Sequence, residues 1–181
     1  MVVDPVGADA LIDRRIRELC LKEHMVTPFT EQAVQPCSYD VHVGYEGQIE
    51  TRDGFKKVDL SIYSDNCPLY LPPGTFMLTD TVEYLKIPNN VEAHLHLVSS
   101  RARQGYQHAL SGLIDACYSG RPTLEIKNNL QYGNLPIYPK LRIAQLTFFE
   151  YQEAARRPYR GRYFEDVSVS NAKDGSDLLR D

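Results

Sequence analysis

Residues 71–98, LPPGTFMLTDTVEYLKIPNNVEAHLHLV, contain two short apolar runs, and each run follows a turn signal. The signals are PPG at 72–74 and IPNN at 87–90, whose proline, glycine and asparagine residues favour turns. Runs of this length that are rich in valine, threonine and aromatic residues, and that lie between turns, are typical of β-strands. This stretch therefore predicts short strands joined by turns.

The same alternation of short runs and turns extends over most of the chain. Further runs are YDVHVG, LSGLID, TLEIKN and RIAQLTFFEY, at 39–44, 110–115, 123–128 and 142–151. Apolar residues show helical spacing at 8–24, and SSRARQG at 99–105 predicts a brief helix capped by Ser99 or Ser100. The chain is thus predicted to be mainly β, a distorted β-barrel or jelly roll with an N-terminal helix and one or two short helices.

Length and charge limit the class of protein. The 181 residues suffice for one buried core, so we expect a single domain over 1–181 in which the polar residues 156–181 form a C-terminal tail. No apolar run approaches the ~20 residues of a membrane span, and the start lacks signal-peptide features, so we expect a cytoplasmic protein without a membrane partner.

The net charge of -4 argues against a nucleic acid polymer as partner. The basic segment RRPYRGR at 156–162 is either a patch for a small anion or a solvated turn.

Cysteine and histidine spacing bears on metal chemistry. The four cysteines are far apart, which fits unpaired thiols in a reducing compartment: Cys20, Cys37, Cys67 and Cys117. The H-x-E and P-C-x-x-C motifs of zinc deaminases do not occur, so we expect no zinc site. His94 and His96 would share one face of a strand, either as a metal-binding pair or, as we favour, as a packed or interface-facing pair.

Two carboxylates are candidates for handling a water molecule. In TLEIKN the alternation places Glu125 on the face opposite Leu124 and Ile126. Glu125 is either an exposed strand carboxylate or, in a cleft, a general base. Asp115 follows an apolar strand, where it either accepts backbone hydrogen bonds or serves as a base or as an acceptor for a sugar hydroxyl, with Tyr118 offering a flat face.

The segment SSRARQG carries the candidate anion-binding groups. Ser99, Ser100, Arg101 and Arg103 supply donors that suit phosphate oxygens. A helix start at this point would add unpaired N–H groups, which favour anions. The alternative is a capped helix with solvated arginines.

In order and spacing, these motifs resemble the dCTP deaminase branch of the trimeric dUTPase superfamily over nearly the whole chain. The matching segments are LIDRRIREL, VQPCSYDVHVG, LPPGTFMLTDTVEYLKIPNNVEAHL, SSRARQG, SGLIDACYSG, TLEIKN and YPKLRIAQLTFFE. The resemblance implies a dUTPase-like fold and a homotrimer with active sites between subunits. It also implies metal-free hydrolytic deamination of dCTP to dUTP and ammonia, with Mg²⁺ bound through the nucleotide triphosphate.

The resemblance also implies roles for individual residues. Glu125 would be the general base that takes a proton from water for attack on cytosine C4, with Ser99 and Arg103 as the other catalytic residues. The implied substrate-binding residues are Ser99, Ser100, Arg101, Ser111, Asp115, Tyr118, Gln145, Tyr159 and Arg162. Residues 156–181 would form a mobile lid over the nucleotide. The chain departs from the family pattern at Val98, at Ala116–Cys117 and at Asp166, where a basic residue, Pro-Gly and glutamine are usual.

Three other functions stay open at this point. A bifunctional enzyme would convert dCTP to dUMP, and a dUTPase would use Asp115 to activate water. A nucleotide-binding regulator would have kept the fold and lost the reaction. Deamination is favoured because dUTPases generally have an apolar residue where this chain has Glu125.

Overall fold

The structure is a computed structural model that describes residues 7–109 and 112–173. These residues form two α-helices, α1 (Asp13–Glu23) and α2 (Ser99–Gln104), and 3₁₀ turns at Glu31–Ala33 and Leu60–Ile62. The strands of the described residues, in chain order, are β1 (Ala8–Ala10), β2 (Val26–Thr27), β3 (Val34–Gln35), β4 (Ser38–Thr51), β5 (Gly54–Asp59), β6 (Leu69–Leu71), β7 (Phe76–Thr81), β8 (Tyr84–Lys86), β9 (Val91–Leu97), β10 (Tyr106–His108), β11 (Leu113–Ile114), β12 (Ser119–Gly120), β13 (Leu124–Asn128), β14 (Leu135–Ile137) and β15 (Arg142–Tyr151).

One large curled sheet dominates the fold. Its strand order is β10-β13-β7-β4-β15-β9-β11, with β1 beside β15 and with β3 and β5 beside β4. The other strands form a three-stranded sheet, β12-β8-β2, and a two-stranded sheet, β14-β6. The predicted mainly β architecture with little helix is confirmed.

Strand β4 connects the two halves of the large sheet because it pairs with both β15 and β7. Its register against β7 shifts between Val43 and Gly47, which lets the long strand bend. Gly44 lies in this interval, and a Cβ at Gly44 would stand only 2.2 Å from the Asp80 carboxylate of β7. The absence of a side chain at Gly44 therefore allows the two strands to approach each other closely.

The core forms where helix α1 packs with the inward-facing side chains of the sheets. Period-two alternation in β9 and β13 buries every second residue, as predicted for strands with one face against a core. The largest fully buried side chains are Ile16, Leu19, Met25, Tyr39, Leu60, Leu71, Met77, Leu85, Leu124, Ile126, Ile137 and Phe148. Each contributes on the order of 1.5–3 kcal/mol by leaving water.

The N-terminal helix is shorter than the predicted span 8–24. Ala8–Ala10 instead form β1, which pairs with Phe149–Tyr151 at the end of β15. The helix begins at Asp13 and buries Ile16 and Leu19. Edge pairing satisfies the backbone groups of residues 8–10, and this outweighs their helical spacing.

The predicted serine cap on the second helix is wrong. Val98 is the N-cap of α2, in extended conformation and without a side-chain cap bond, and Ser99 and Ser100 form the first turn. Val98 donates its N–H to the Ile143 carbonyl at 3.0 Å, as a continuation of the β9–β15 pairing. The strand register therefore fixes where the helix begins.

Candidate active site

Strand β13 carries Glu125 into the wall of a cavity. Leu124 and Ile126 are fully buried in the core, whereas Glu125 is half-buried on the opposite face. Its backbone carbonyl accepts a 3.0 Å hydrogen bond from the Ala109 N–H. The strand is also paired with β7 on one side and with β10 on the other, so the backbone at Glu125 is held in the sheet.

The cavity has a volume of about 550 Å³, within the range of about 300–1,000 Å³ of small-molecule sites. It lies between the sheet, the turn after β11 and the C-terminal segment. The lining residues are Phe55, Phe76, Leu78, Leu113, Ile114, Asp115, Tyr118, Arg121, Pro122, Thr123, Glu125, Tyr159, Tyr163, Asp166, Ser170, Asn171 and Ala172. The structure therefore brings together four of the predicted site residues, Asp115, Tyr118, Glu125 and Tyr159.

The turn that follows β11 positions Asp115 and Tyr118. The Tyr118 N–H donates to the Asp115 carbonyl at 3.1 Å, and Cys117 between them has a left-handed backbone with φ of 66°. The family resemblance leads us to expect glycine at this position, and glycine is the residue that adopts a left-handed backbone most readily. Burial raises the pKa of Tyr118, so its phenol stays protonated at neutral pH and retains a hydrogen-bond donor.

The C-terminal segment covers this turn. The Tyr159 ring lies 5.8 Å from the Tyr118 ring, and the Tyr159 N–H donates to the Ala116 carbonyl at 3.2 Å. Farther on, the Glu165 N–H donates to the Ser119 carbonyl at 2.7 Å. Residues 159–172 therefore form one wall of the cavity, although their composition is that of a polar tail.

Asp166 stands where the family resemblance leads us to expect glutamine. Burial raises the pKa of its carboxyl, but hydrogen bonds from Lys173 at 3.0 Å and from Ser170 at 2.8 Å outweigh burial, so the pKa lies below its ordinary value. The carboxylate is thus ionised at neutral pH and is satisfied within the tail itself. Its backbone pairs with Gly120 in a parallel bridge.

The residues predicted to bind phosphate lie on α2, outside the cavity. Ser99, Ser100 and Arg103 are exposed on α2 and do not line the cavity, and their side chains make no hydrogen bond to another described residue. Arg101 is bonded within the chain, because its guanidinium donates to the Arg142 carbonyl and to the Gln104 side chain, both at 2.8 Å.

Three further residues were predicted to bind the substrate: Gln145, Arg162 and Ser111. Gln145 accepts a 3.3 Å hydrogen bond from the Ser38 hydroxyl on the neighbouring strand, away from the cavity. Arg162 donates to the Lys173 carbonyl at 3.0 Å and so bonds within the tail. Ser111 lies outside the described residues.

His108 stands beside this site on β10. Its register partner is Ile126, next to Glu125, and its Nε2 atom is buried without a hydrogen-bond partner among the described residues. Burial lowers the pKa of His108, while the Glu125 carboxylate opposes that shift. The ring is therefore held neutral.

Several cavity residues were not identified from the sequence. Phe55 and Phe76 contact each other in an edge-to-face arrangement with ring centroids 6.1 Å apart, although they lie on different strands. The register of β5, β4 and β7 brings them together, and no local motif signals it. Thr123 could have been identified, since the alternation in TLEIKN places it on the same face of the strand as Glu125.

A second cavity of about 490 Å³ adjoins the first across Asp115 and Tyr159, which line both. Its other lining residues are Asn89, Asn90, Glu92, Ala116, Tyr151, Glu153, Ala155 and Arg157. The two cavities make Asp115 accessible from two sides.

Neither a metal-binding cluster nor a membrane-spanning helix occurs in the part of the chain that the structure describes. Within residues 7–109 and 112–173, no group of three or more His, Cys, Asp or Glu side chains is placed to hold a metal ion. In the same residues, no helix has the length and apolar character needed to cross a membrane. His94 contacts Phe149, with ring centroids 5.2 Å apart, and its Nε2 lies 3.2 Å from Glu92.

Comparison with known proteins gives dCTP deaminases among the relatives of this chain. The chain is 33% identical to "dCTP deaminase, dUMP-forming" of Nanoarchaeum equitans, over 93% of this chain and 99% of that protein. It is 32% identical to the dCTP deaminase of Thermococcus kodakarensis, over 78% of this chain and 86% of that protein. These alignments span nearly the full length of both relatives.

Structural comparison agrees with the sequence relationship. The chain superposes on the 2′-deoxycytidine 5′-triphosphate deaminase from Agrobacterium tumefaciens with a TM-score of 0.67 and 21% identity, covering 79% of this chain and 48% of that one. This chain thus spans about half the length of that structure, and the predicted dUTPase-like fold is confirmed. The model of the protein family described as "dCTP deaminase-like" matches residues 9–151 of this chain. Because that match runs from β1 to the end of β15, the chain belongs to the dCTP deaminase-like family.

Proposed function

We propose that this protein deaminates dCTP hydrolytically, with Glu125 as the general base. The observation that carries the proposal is the position of Glu125, whose half-buried carboxylate faces a nucleotide-sized cavity together with Asp115 and Tyr118. A carboxylate on a rigid strand, partly removed from bulk water, is suited to accept a proton from a water molecule. The names of the relatives support dCTP as the substrate.

The reaction consumes one water and releases one ammonia. Glu125 takes a proton from the water as its oxygen forms a bond to C4 of the cytosine ring. The carboxylic acid then returns the proton to N3, and a second proton moves from the new hydroxyl to the amino group. The C4–N bond breaks, ammonia leaves and a uracil carbonyl remains. No redox partner is required, because C4 exchanges a bond to nitrogen for a bond to oxygen and its oxidation state does not change.

Asp115 and Tyr118 are assigned to the sugar. The Asp115 carboxylate is an acceptor for the 3′-hydroxyl of deoxyribose, and the buried Tyr118 ring supplies a flat surface beside it. Tyr159, which packs on Tyr118, closes this side of the cavity. Excluding water here strengthens the electrostatic interactions of Glu125 with the reacting base.

The triphosphate requires more donors than the cavity of one chain supplies. Arg121 is the one cationic side chain among the described residues that line it, and its guanidinium lies 3.5 Å from the Asp80 carboxylate. Ser99, Ser100 and Arg103 are exposed outside the cavity, and their polar groups are available to another molecule. We therefore assign them to the active site of a neighbouring subunit in a homotrimer. Gln145, Arg101 and Arg162 are assigned to the phosphates as well, and binding would require their side chains to exchange hydrogen bonds within the chain for bonds to the ligand. Ser111, next to the Asp115 turn in sequence, is assigned to the substrate as well. Such sharing follows naturally from cyclic symmetry, since every subunit both gives and receives one set of donors.

Magnesium enters with the nucleotide as part of the substrate. Mg²⁺ usually retains several waters and bridges phosphate oxygens, so it does not require a cage of protein carboxylates. The ion would neutralise the triphosphate and leave the deamination chemistry to the side chains.

A second candidate activity is conversion of dCTP to dUMP, with pyrophosphate released after deamination. Asp115 favours it, because a second carboxylate lines the same cavity as Glu125 and can activate a second water. One relative carries the dUMP-forming name and the other does not.

The deciding experiment is a pair of time courses with magnesium, one started with dCTP and one with dUTP, in which nucleotide binding, ammonia, dUTP, dUMP and pyrophosphate are measured. Ammonia with dUTP establishes deamination alone, and ammonia with dUMP and pyrophosphate establishes both reactions. Pyrophosphate from dUTP without any ammonia from dCTP would contradict the proposal in favour of a dUTPase. Binding without turnover would contradict it in favour of a regulator.

A further inference from the structure

The C-terminal segment is attached to the sheet at a buried glutamine. We propose that Gln48 is a positioning residue that holds residues 159–172 over the cavity of Glu125, by donating a hydrogen bond to the Val169 carbonyl. The inference rests on the proposed function, because it concerns how the same site is covered. Gln48 itself does not line the cavity.

The hydrogen bond between Gln48 and Val169 is short and buried on both sides. The Gln48 Nε2 atom lies 2.9 Å from the Val169 oxygen, and the two residues are only 6% and 8% exposed. A buried amide that lost this acceptor would be left unsatisfied, and the Val169 carbonyl would lose its donor in turn. Val169 is also the buried apolar residue of a tail in which Val167, two residues earlier, is 57% exposed. The attachment is therefore local and specific.

Sheet register connects this attachment to Glu125. Gln48 on β4 is the partner of Leu78 on β7, and Leu78 is the partner of Glu125 on β13. Residues in one cross-strand row face the same side, and adjacent strands lie about 4.8 Å apart, so Gln48 stands roughly 10 Å from Glu125. A tail anchored on Gln48 must therefore pass close to the carboxylate.

A second attachment fixes the direction of the tail. The Asp166 carbonyl accepts a 2.8 Å hydrogen bond from the Arg121 N–H, and a Cβ at Gly120 would stand 2.7 Å from that carbonyl. Gly120 also has φ of 150°, which side chains rarely adopt. Any side chain at 120 would push the tail outward. Gln48 and Gly120 together hold the stretch that contributes Asp166 and Ser170 to the cavity.

The test compares Gln48→Glu with a matched control, Gln131→Glu, in the full-length protein. Glutamate keeps the shape of glutamine but cannot donate to the Val169 carbonyl, and Gln131 is exposed in a turn outside the cavity. Hydrogen exchange is measured at the Arg121 and Glu165 amides, which donate to the docked tail and its receptor. We expect both amides to exchange about tenfold faster in Gln48→Glu and at the wild-type rate in Gln131→Glu.

Kinetics supply the second measurement. In Gln48→Glu, kcat/KM for dCTP should fall about tenfold, mostly through KM, because a detached lid binds substrate poorly while Glu125 is intact. Val169→Asp, which changes only the tail and leaves the sheet untouched, should reproduce both effects if Gln48→Glu fails to fold. Unchanged amide exchange in the folded variants, or equal changes in Gln131→Glu, would overturn the inference. A wild-type protein without dCTP turnover would contradict the proposed function, and amide exchange would still decide the docking.

Discussion

Glu125 and Leu78 are directly opposite partners in the antiparallel pair β13–β7, and both face the cavity. Leu78 is 7% exposed, so an apolar side chain covers one flank of the carboxylate. The Ala109 backbone pairs with Glu125 from the other neighbouring segment. Glu125 thus lines the cavity beside an apolar neighbour, a setting in which a carboxylate can act as general base for a water molecule.

Replacing Glu125 with glutamine should abolish deamination while nucleotide binding persists. The amide keeps the size of the side chain but cannot accept the proton of water, so we expect kcat to fall by about 10²–10⁴-fold. Ammonia release and the Kd for dCTP are the two measurements. Glu50→Gln is the matched control, because Glu50 lies exposed on β4 and does not line the cavity. Wild-type turnover in Glu125→Gln would exclude Glu125 as the base.

Asp115→Asn separates the two proposed activities. Asparagine can still accept a hydrogen bond from the 3′-hydroxyl but cannot activate water, so ammonia release should continue at a KM about tenfold higher. Any pyrophosphate release should be lost, because that step depends on the second carboxylate. Parallel assays of ammonia and pyrophosphate measure both, with exposed Asp53→Asn as the control. Equal loss of the two products would show that Asp115 has no separate role in hydrolysis.

Much of the fold could be predicted from local patterns. Turn signals and period-two alternation located the strands around Glu125 and Asp115, because strand formation there follows from burial of alternate residues. The pairing of Ala8–Ala10 with β15 was not predictable in this way, since it depends on a partner about 140 residues away. The same holds for the start of α2, which the β9–β15 register places at Ser99.

The candidate site was predictable where one short segment carries it. Glu125, Asp115 and Tyr118 were found from β13 and the turn after β11. Phe55, Phe76 and Gln48 were missed, because only the register of three strands brings them near Glu125. The docking of the tail was missed for a related reason. Its attachments are mainly backbone hydrogen bonds, which the residue types do not encode.

His108 makes stability depend on pH. Burial lowers its pKa in the folded protein below the ordinary value of 6.5, so the unfolded chain takes up a proton at higher pH than the folded one. The contribution of neutral His108 is therefore complete above pH 6.5 and is lost as the pH falls below 6.5 towards the lowered pKa. Thermal unfolding at several pH values should show a declining Tm over that window.

The variant His108→Leu tests this dependence, and a substitution at an exposed histidine, His96, is its control. His108→Leu cannot titrate, so its Tm should decline less than that of the wild type as the pH falls below 6.5. His96→Gln, at an exposed position on β9, should follow the wild-type profile. Identical profiles for His108→Leu and the wild type would show that His108 does not carry this pH dependence.

Subunit mixing tests whether the site is shared between chains. Glu125→Gln and Arg103→Ala should each be inactive alone, because one lacks the base and the other lacks a donor that we assign to a neighbouring subunit. If Glu125 and Arg103 of one site come from different chains, random mixing at equal amounts restores about a quarter of the sites. The control mixes Glu125→Gln with Glu125→Ala, where no site can be restored. Ammonia release that stays at background in the first mixture would place Glu125 and Arg103 of each site in the same chain. The exposed position of Arg103, outside the cavity of its own chain, leads us to expect recovery.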